Sequence, residues 1–418
     1  MSLETAPLSP GHSPLRTAPT PEPALSVPSQ EPLAIGRAAH DADSDTAGLH
    51  RLFAELHSQR PRILGFPGNL DWDLSRQLGP GLGVLLNNVG DPESGDHSNI
   101  HVKAYERAVI DFFAETAGAR ADEVYGYITA GGSESVLYGL ATARQALPHA
   151  AVYASDQAHD CVARAAELLR MRRVVVRSHP DGTTDSDHLR HAARHERAAA
   201  DLAGGPGAPG AIVVATVGTT MQGAVDDVPR LRHSAAEAGQ VYVHVDAASG
   251  GLVAAHAPSR PAWDFTAGAD SLSISGHKII GSPLACGVVL SRRRLTWHTP
   301  DAEYTGAVNH TLGCSRSGLA ALALWARLRS LGHDGVRALV LRCLDVAQYA
   351  TERLEEAGAR PQRFPDSLTV IFDRPSPALV RRYHLAPEGV RAHIVCVGHV
   401  TREAVDALCR DITVGTAS

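Results

Sequence analysis

The feature that most constrains this chain is an alternation. Short, nearly uninterrupted apolar runs rich in β-branched residues are separated by segments of helical periodicity. The runs are AAVYAS (150–155), RVVVRS (173–178), AIVVATVG (211–218), QVYVHVD (240–246) and CGVVLS (286–291). Around them, AYERAVIDFFAETAG (Ala104–Gly118), VLYGLATARQAL (Val136–Leu147) and CVARAAELLRM repeat apolar residues at helical spacing. Ser133 and Glu134, just ahead of the second, read as its cap and first-turn acid. A strand that is apolar on both sides must be buried on both. The pattern therefore predicts an α/β fold with a mostly parallel central sheet covered by helices on each face.

After about residue 300 the pattern changes to long helical stretches, LAALALWARLRSLG and CLDVAQYATERLEEAG, followed by strand-like LTVIFD (368–373) and AHIVCVG. That reads as a smaller α+β domain. The expected organisation is a Pro-rich tail at 1–40, an N-terminal segment at 41–100, a large α/β domain at 101–300 and a small C-terminal domain at 301–418. Eight prolines precede Ile35, and with few large apolar residues beside them the tail is expected to stay disordered.

Bulk properties exclude several functions. A net charge of −6, from 39 basic and 45 acidic residues, makes no electrostatic case for nucleic acid or an anionic membrane. No apolar run approaches the ~18 residues that span a bilayer, and no secretory signal pattern opens the chain. Six cysteines are scattered without a C-x-x-C pair, which suits reduced thiols in a cytoplasm rather than disulfides or a metal site.

Ligands of open α/β sheets bind beyond the carboxyl ends of the strands, and four constellations fall there. In YITAGGSESVLYG (127–139), Gly132 and Ser133 open a helix whose first amides suit an anion; a plain glycine turn with a serine cap has the same sequence. In GTTMQGAVDD (218–227), the hydroxyls of Thr219 and Thr220 could hold a phosphate oxygen or brace a turn. Asp246 ends an apolar strand, where a carboxylate needs a cation or donors, or else caps the next helix. Lys278, in SLSISGHKIIGSPLACGVVL (271–290), is either solvated or, if buried, a neutral nucleophilic amine. Their order and combination favour one device, an anchor for pyridoxal phosphate: helix terminus for the phosphate, Asp246 for the ring nitrogen, Lys278 for the Schiff base.

At these residues the chain resembles the group II pyridoxal-phosphate-dependent amino acid decarboxylases, most of all the bacterial histidine decarboxylases and the related serine decarboxylases. The likeness runs from about Leu64 to Val400. It is carried by NLDWDL (69–74), NNVGDP (87–92), TAGGSE (129–134), YASDQAHDCVARAAELLRM (153–171), GTTMQGAVDD, HVDAASGG (244–251), SGHKIIGSPLACGVVL, CSRSGLAALALW (314–325) and CLDVAQYA (343–350). The resemblance implies the aspartate-aminotransferase-like fold (fold type I) and a homodimer with active sites at the subunit interface. It implies Lys278 as the Schiff-base lysine, Asp246 as partner of the pyridinium nitrogen and His159 as the histidine on the cofactor ring. Gly132, Ser133, Thr219, Ser275 and His277 would hold the phosphate or position the lysine. Arg316 would lie near the substrate carboxylate.

The chain departs from the family pattern where substrate residues are expected. His97 and Ser98 stand where the family has Asn-Tyr. Ala130, Ser135 and Val136 replace residues of TNGGTEGN, and Cys314, Ser317 and Leu319 replace Gly, Asn and His of its later motif. The expected reaction is α-decarboxylation of an L-amino acid to the amine and CO2, with histidine as first substrate and serine or another small polar amino acid next. Two other readings stay open: an oxygen-consuming decarboxylating deaminase on the same cofactor, and a catalytically degenerate scaffold.

Overall fold

A computed structural model describes residues 41–95, 100–204, 208–296 and 308–416, with Leu33, Ile35, Arg37, Ala38 and Gly306. The proline-rich run before Ile35 lies almost wholly outside the described residues. The chain divides into a unit ending at His57 and a compact unit Ser58–Ser418. The first carries most of helix α1 (Ala42–Gln59), whose residues are all at least partly exposed.

The second unit is built on a seven-stranded sheet: β1 (Val124–Thr129), β2 (Ala151–Ser155), β3 (Arg173–Val176), β4 (Ala211–Thr216), β5 (Val241–Asp246), β6 (Ser271–Ser275) and β7 (Gly287–Arg292). Their order across the sheet is β1-β7-β6-β5-β4-β2-β3. β7 runs antiparallel to both neighbours; the other pairs are parallel. All five expected runs are strands; four are trimmed by one or two residues and the last is shifted by one, to Gly287–Arg292. Two strands, β1 and β6, were not among them.

The reason the strands are apolar throughout is visible in the packing. Ala151, Tyr153, Val213, Ala215, Val243 and Val245 join one hydrophobic cluster, while the alternating Val152, Ala154, Ile212, Val214 and Tyr242 join another. Adjacent residues point to opposite faces, so both faces are core. Helix α2 (Lys103–Thr116) contributes Val109 and Phe113 to the first cluster, and α3 (Gly132–Ala146) contributes Val136 and Leu140 to the second. The cap expected at Ser133 is displaced: α3 begins at Gly132 with Gly131 as N-cap, so Ser133 and Glu134 are first-turn residues. Helix α4 (Asp160–Leu168) follows β2.

The two long helical patterns near the C-terminus form α5 (Gly318–Glu356), two helical runs joined across a kink at Gly332, where φ is 61° and the backbone is not helical. An antiparallel three-stranded sheet follows, with Thr369–Asp373 at one edge, Arg391–Val395 central and Ala386–Glu388 at the other edge. The carboxyl ends of β1, β4, β5 and β6 converge on one rim, and the segments leaving that rim carry the chemistry.

Candidate active site

Two adjoining cavities open at that rim. The smaller, about 360 Å³, is lined by Gly132, Ser133, Thr216, Asp246, Ser275 and His277 among others. The larger, about 550 Å³, lies toward the three-stranded sheet and is lined largely by apolar groups, among them Phe66, Met221, Val253, Ile279, Phe364 and Val395. Both volumes fall in the ~300–1,000 Å³ range of small-molecule sites. Lys278, His159, Ser249, Gly218 and Thr220 line both, so the lysine stands at the junction.

Lys278 Nζ donates to Ser249 Oγ at 2.6 Å. Burial pushes its pKa below the usual lysine value, opposed by the attraction of Asp246. Desolvation disfavours the ammonium, so a larger fraction of this amine is neutral than on a surface lysine. Of the two readings of Lys278, the structure thus supports the buried one.

Asp246 is the last residue of β5 and only 6% exposed. Its Oδ1 accepts from the Ala248 N–H at 3.2 Å and from Ser273 Oγ at 3.3 Å. Among the described residues no Lys, Arg or His nitrogen comes within ion-pair distance of it, so the buried charge lacks a direct cationic partner. On the adjacent strand, in register with Asp246, stands Thr216. Its hydroxyl is buried and has no hydrogen-bond partner among the described residues. A carboxylate awaiting a cation and a hydroxyl awaiting a partner, in one cavity, fit a protonated ring nitrogen and a polar ring substituent.

The other end of this cavity suits an anion. The N-cap of α3 is Gly131, which has no side chain to cap it. Glu134 is turned back instead, accepting from the Ala130 N–H at 2.8 Å and the Tyr127 hydroxyl at 3.1 Å. The first-turn amides and the dipole of a 15-residue helix thus face the cavity together with the Ser133 side chain. A Cβ on Gly132 would lie 3.2 Å from Ser275 Oγ, so only glycine leaves that approach unobstructed.

The remaining expected residues divide. His159 caps α4, its Nδ1 accepting from the Cys161 N–H at 3.2 Å. The same Nδ1 lies 3.0 Å from Asp160 Oδ1, so the ring is both a helix cap and a wall of the two cavities. His277 Nδ1 lies 2.8 Å from the Cys286 carbonyl, which ties the lysine loop to the start of β7. Thr219 lines the larger cavity only, and its Oγ1 accepts from the Ala224 N–H at 3.0 Å; it braces the turn, and Thr220 is the threonine that reaches both cavities.

Arg316 does not reach either cavity. Its guanidinium pairs with the buried carboxylate of Glu106 and donates to the Gly90 carbonyl at 2.7 Å, above the Tyr127 ring. The resemblance implies a place near the substrate carboxylate; in the structure these partners engage the guanidinium in the interior. His97 and Ser98 lie outside the described residues.

Sequence reasoning missed Ser249, Thr216 and Cys161. Ser249 sits three residues after Asp246, and Thr216 closes an apolar strand. Cys161 lines the smaller cavity with its thiol pushed up to about 12 by burial and by the charge of Asp246, so it stays protonated at neutral pH.

With this geometry in hand, comparison with known proteins is specific. Residues 104–362 match the family model described as the pyridoxal-dependent decarboxylase conserved domain. The chain is 34% identical to histidine decarboxylase of Mesorhizobium japonicum over 372 residues, 88% of this chain and 98% of that protein. It is 32% identical to serine decarboxylase 2 of Oryza sativa subsp. japonica over 381 residues, 89% of this chain and 79% of the other. Among solved structures, L-methionine decarboxylase from Streptomyces sp. 590 superposes with a TM-score of 0.82 at 22% identity, covering 95% of this chain and 99% of that one. That likeness supports fold type I.

Proposed function

The chain belongs to the pyridoxal-dependent decarboxylases, and from that premise we propose that Lys278, Asp246 and His159 carry its reaction and that L-histidine is its first substrate. The coarser statement needs no proposal: the protein is a pyridoxal-phosphate-dependent carboxy-lyase acting on an amino acid. When bound, the cofactor supplies an electron sink for the pair left at Cα as CO2 departs.

The chain's own residues act around that sink. Lys278 would hold the cofactor covalently and, once displaced by the substrate amine, stand free at the junction of the cavities. Asp246 would keep a proton on the ring nitrogen. The first turn of α3, with Ser133 and Ser275, would hold the phosphate. His159 would bound the ring of the cofactor. A general acid must return a proton to Cα.

The observation that carries this reading is the buried Lys278 amine, bonded to Ser249 and sharing a cavity with an uncompensated Asp246. Two facts bear on the substrate. Histidine decarboxylases are prominent among the relatives, and a chamber of about 550 Å³ beyond the lysine is far larger than a serine hydroxymethyl group requires. Both support an imidazole-sized side chain over serine.

The test is a survey of the twenty amino acids for CO2 release, with products identified by mass. Histamine with no oxygen uptake is expected. Aldehyde, ammonia and oxygen consumption would instead indicate the oxidative variant.

A homodimer and a cytoplasmic setting belong to the same reading. On α1, Leu49, Leu52, Phe53 and Leu56 follow i, i+3, i+4, i+7 spacing and are 47–52% exposed, an apolar stripe that a second copy would cover. All six cysteines are free, and among the described residues no helix is long and apolar enough to cross a membrane. Sedimentation at micromolar concentration should give twice the chain mass.

A further inference from the structure

The segment between Ile63 and Asp73 has no regular secondary structure, yet hydrogen bonds hold it along its length. Leu64 donates to the Tyr383 carbonyl at 3.2 Å and accepts from Val395 N–H at 2.7 Å. Gly65 donates to the His384 carbonyl at 3.1 Å. His399 closes a clamp, accepting from the Leu70 N–H at Nδ1 (3.2 Å) and facing the Ile63 carbonyl with Nε2 (2.9 Å). Asp71 receives Arg327 at 2.8 Å and Arg342 at 2.9 Å. The segment is therefore a strap fastened to the C-terminal sheet, to its flanking turns and to α5.

At its centre the strap grips the lysine loop. Asn69 is 2% exposed. Its backbone N–H donates to the carbonyl of Lys278 itself at 2.9 Å, and its side-chain Nδ2 donates to the carbonyl of Ile279 at 2.9 Å. Its Oδ1 accepts from the Asp71 N–H at 3.0 Å, which fixes the amide's orientation. The contact is close: a Cβ on Gly281 would lie 2.4 Å from the Asn69 carbonyl oxygen, and φ there is 85°.

We propose that Asn69 is a positioning residue for Lys278. Through two consecutive carbonyls it anchors the lysine backbone to the C-terminal sheet, so the amine keeps its place at the cavity junction after the substrate has displaced it. The proposal rests on Lys278 being the reactive amine. Asn69 touches neither cavity and acts only through the loop. A displacement of about 1 Å at a reacting group can lower a rate ~100-fold, which sets the size of the effect.

The test uses the cofactor-loaded enzyme and two variants. Asn69→Asp is isosteric and keeps the Asp71 contact, but it replaces the donor to Ile279 with an acceptor. Expected are a kcat lower by roughly ten- to a hundredfold with KM little changed, and a pH midpoint of the bound cofactor's visible absorbance that moves upward, since an added carboxylate favours the protonated nitrogen. Asp71→Asn weakens the strap's ties to Arg327 and Arg342 without touching the lysine loop; it should lower the melting temperature and leave the midpoint in place.

If Asn69→Asp fails to fold, Asn69→Ala, which removes the donor without adding charge, should lower kcat while the midpoint still departs from that of wild type. Wild-type kcat and midpoint in the Asn69 variant overturn the proposal, as does an equal midpoint shift in Asp71→Asn. Borohydride fixation of cofactor away from Lys278 in the wild type would instead remove the premise about the lysine.

Discussion

Replacing Asp246 by asparagine separates the catalytic account from a structural one. The amide has nearly the same shape and can still accept from Ala248 N–H and Ser273 Oγ through one oxygen, so the local hydrogen bonding survives. What disappears is one negative charge, buried and without a side-chain ion pair among the described residues. Opposite unit charges ~4 Å apart interact by about 4 kcal/mol at an effective dielectric near 20. Lost from a positively charged ring, that amounts to roughly a 1,000-fold fall in kcat.

Folding stability should behave oppositely. A buried carboxylate without a bonded cation opposes folding of the cofactor-free protein, so Asp246→Asn should melt no lower than wild type. One further effect follows from sign: Asp246 raises the Lys278 pKa against desolvation, so the variant's amine should titrate at lower pH. The assay is steady-state CO2 release beside thermal melting of the apo form. A variant within tenfold of wild-type kcat would refute the role given to Asp246, and a large loss of apo stability would reassign it to the fold.

Arg316→Ala leaves Glu106, fully buried and bonded to Asn88 and the Ile128 N–H, without its cation; a stability loss of about 3–5 kcal/mol is expected in chemical denaturation. His244 and His393 are both pushed down to about 4 by burial. The unfolded chain therefore binds two more protons than the folded one between pH 6.5 and 4, and stability from these groups is present above pH 6.5 and lost on acidification. The slope at its steepest is about 2.7 kcal/mol per pH unit, measurable as proton uptake on unfolding near pH 5.

How much of this was legible in the chain depends on how local each cause was. Strands with uninterrupted apolar runs were found because burial on both faces leaves no alternative composition. β1 and β6 were missed because Gly126 interrupts VYGYIT and serines alternate in SLSIS. Those serines are buried for specific partners, Ser271 for His244 at 2.8 Å and Ser273 for Asp246 at 3.3 Å, and a polar residue with a distant partner looks like a loop residue.

The same distance explains the sites. Asp246 and Lys278 follow strands, where the topology alone points to a ligand. The Glu106 that holds Arg316 lies 210 residues away, as does the Ile279 carbonyl held by Asn69, and no spacing rule reaches so far. The misplaced cap at Ser133 is a local error with a local reason: with Gly131 as N-cap, the helix can start one residue before the serine.

The central claim is that the buried amine at the junction of the two cavities is the covalent seat of the cofactor. The most direct measurement is borohydride reduction of the loaded protein followed by peptide mass analysis. The account predicts one added cofactor mass on the peptide containing Lys278, and in Lys278→Ala neither that mass, nor the visible absorbance, nor CO2 release. Cofactor fixed to another residue, or a Lys278→Ala enzyme that still turns over at the wild-type rate, would contradict it.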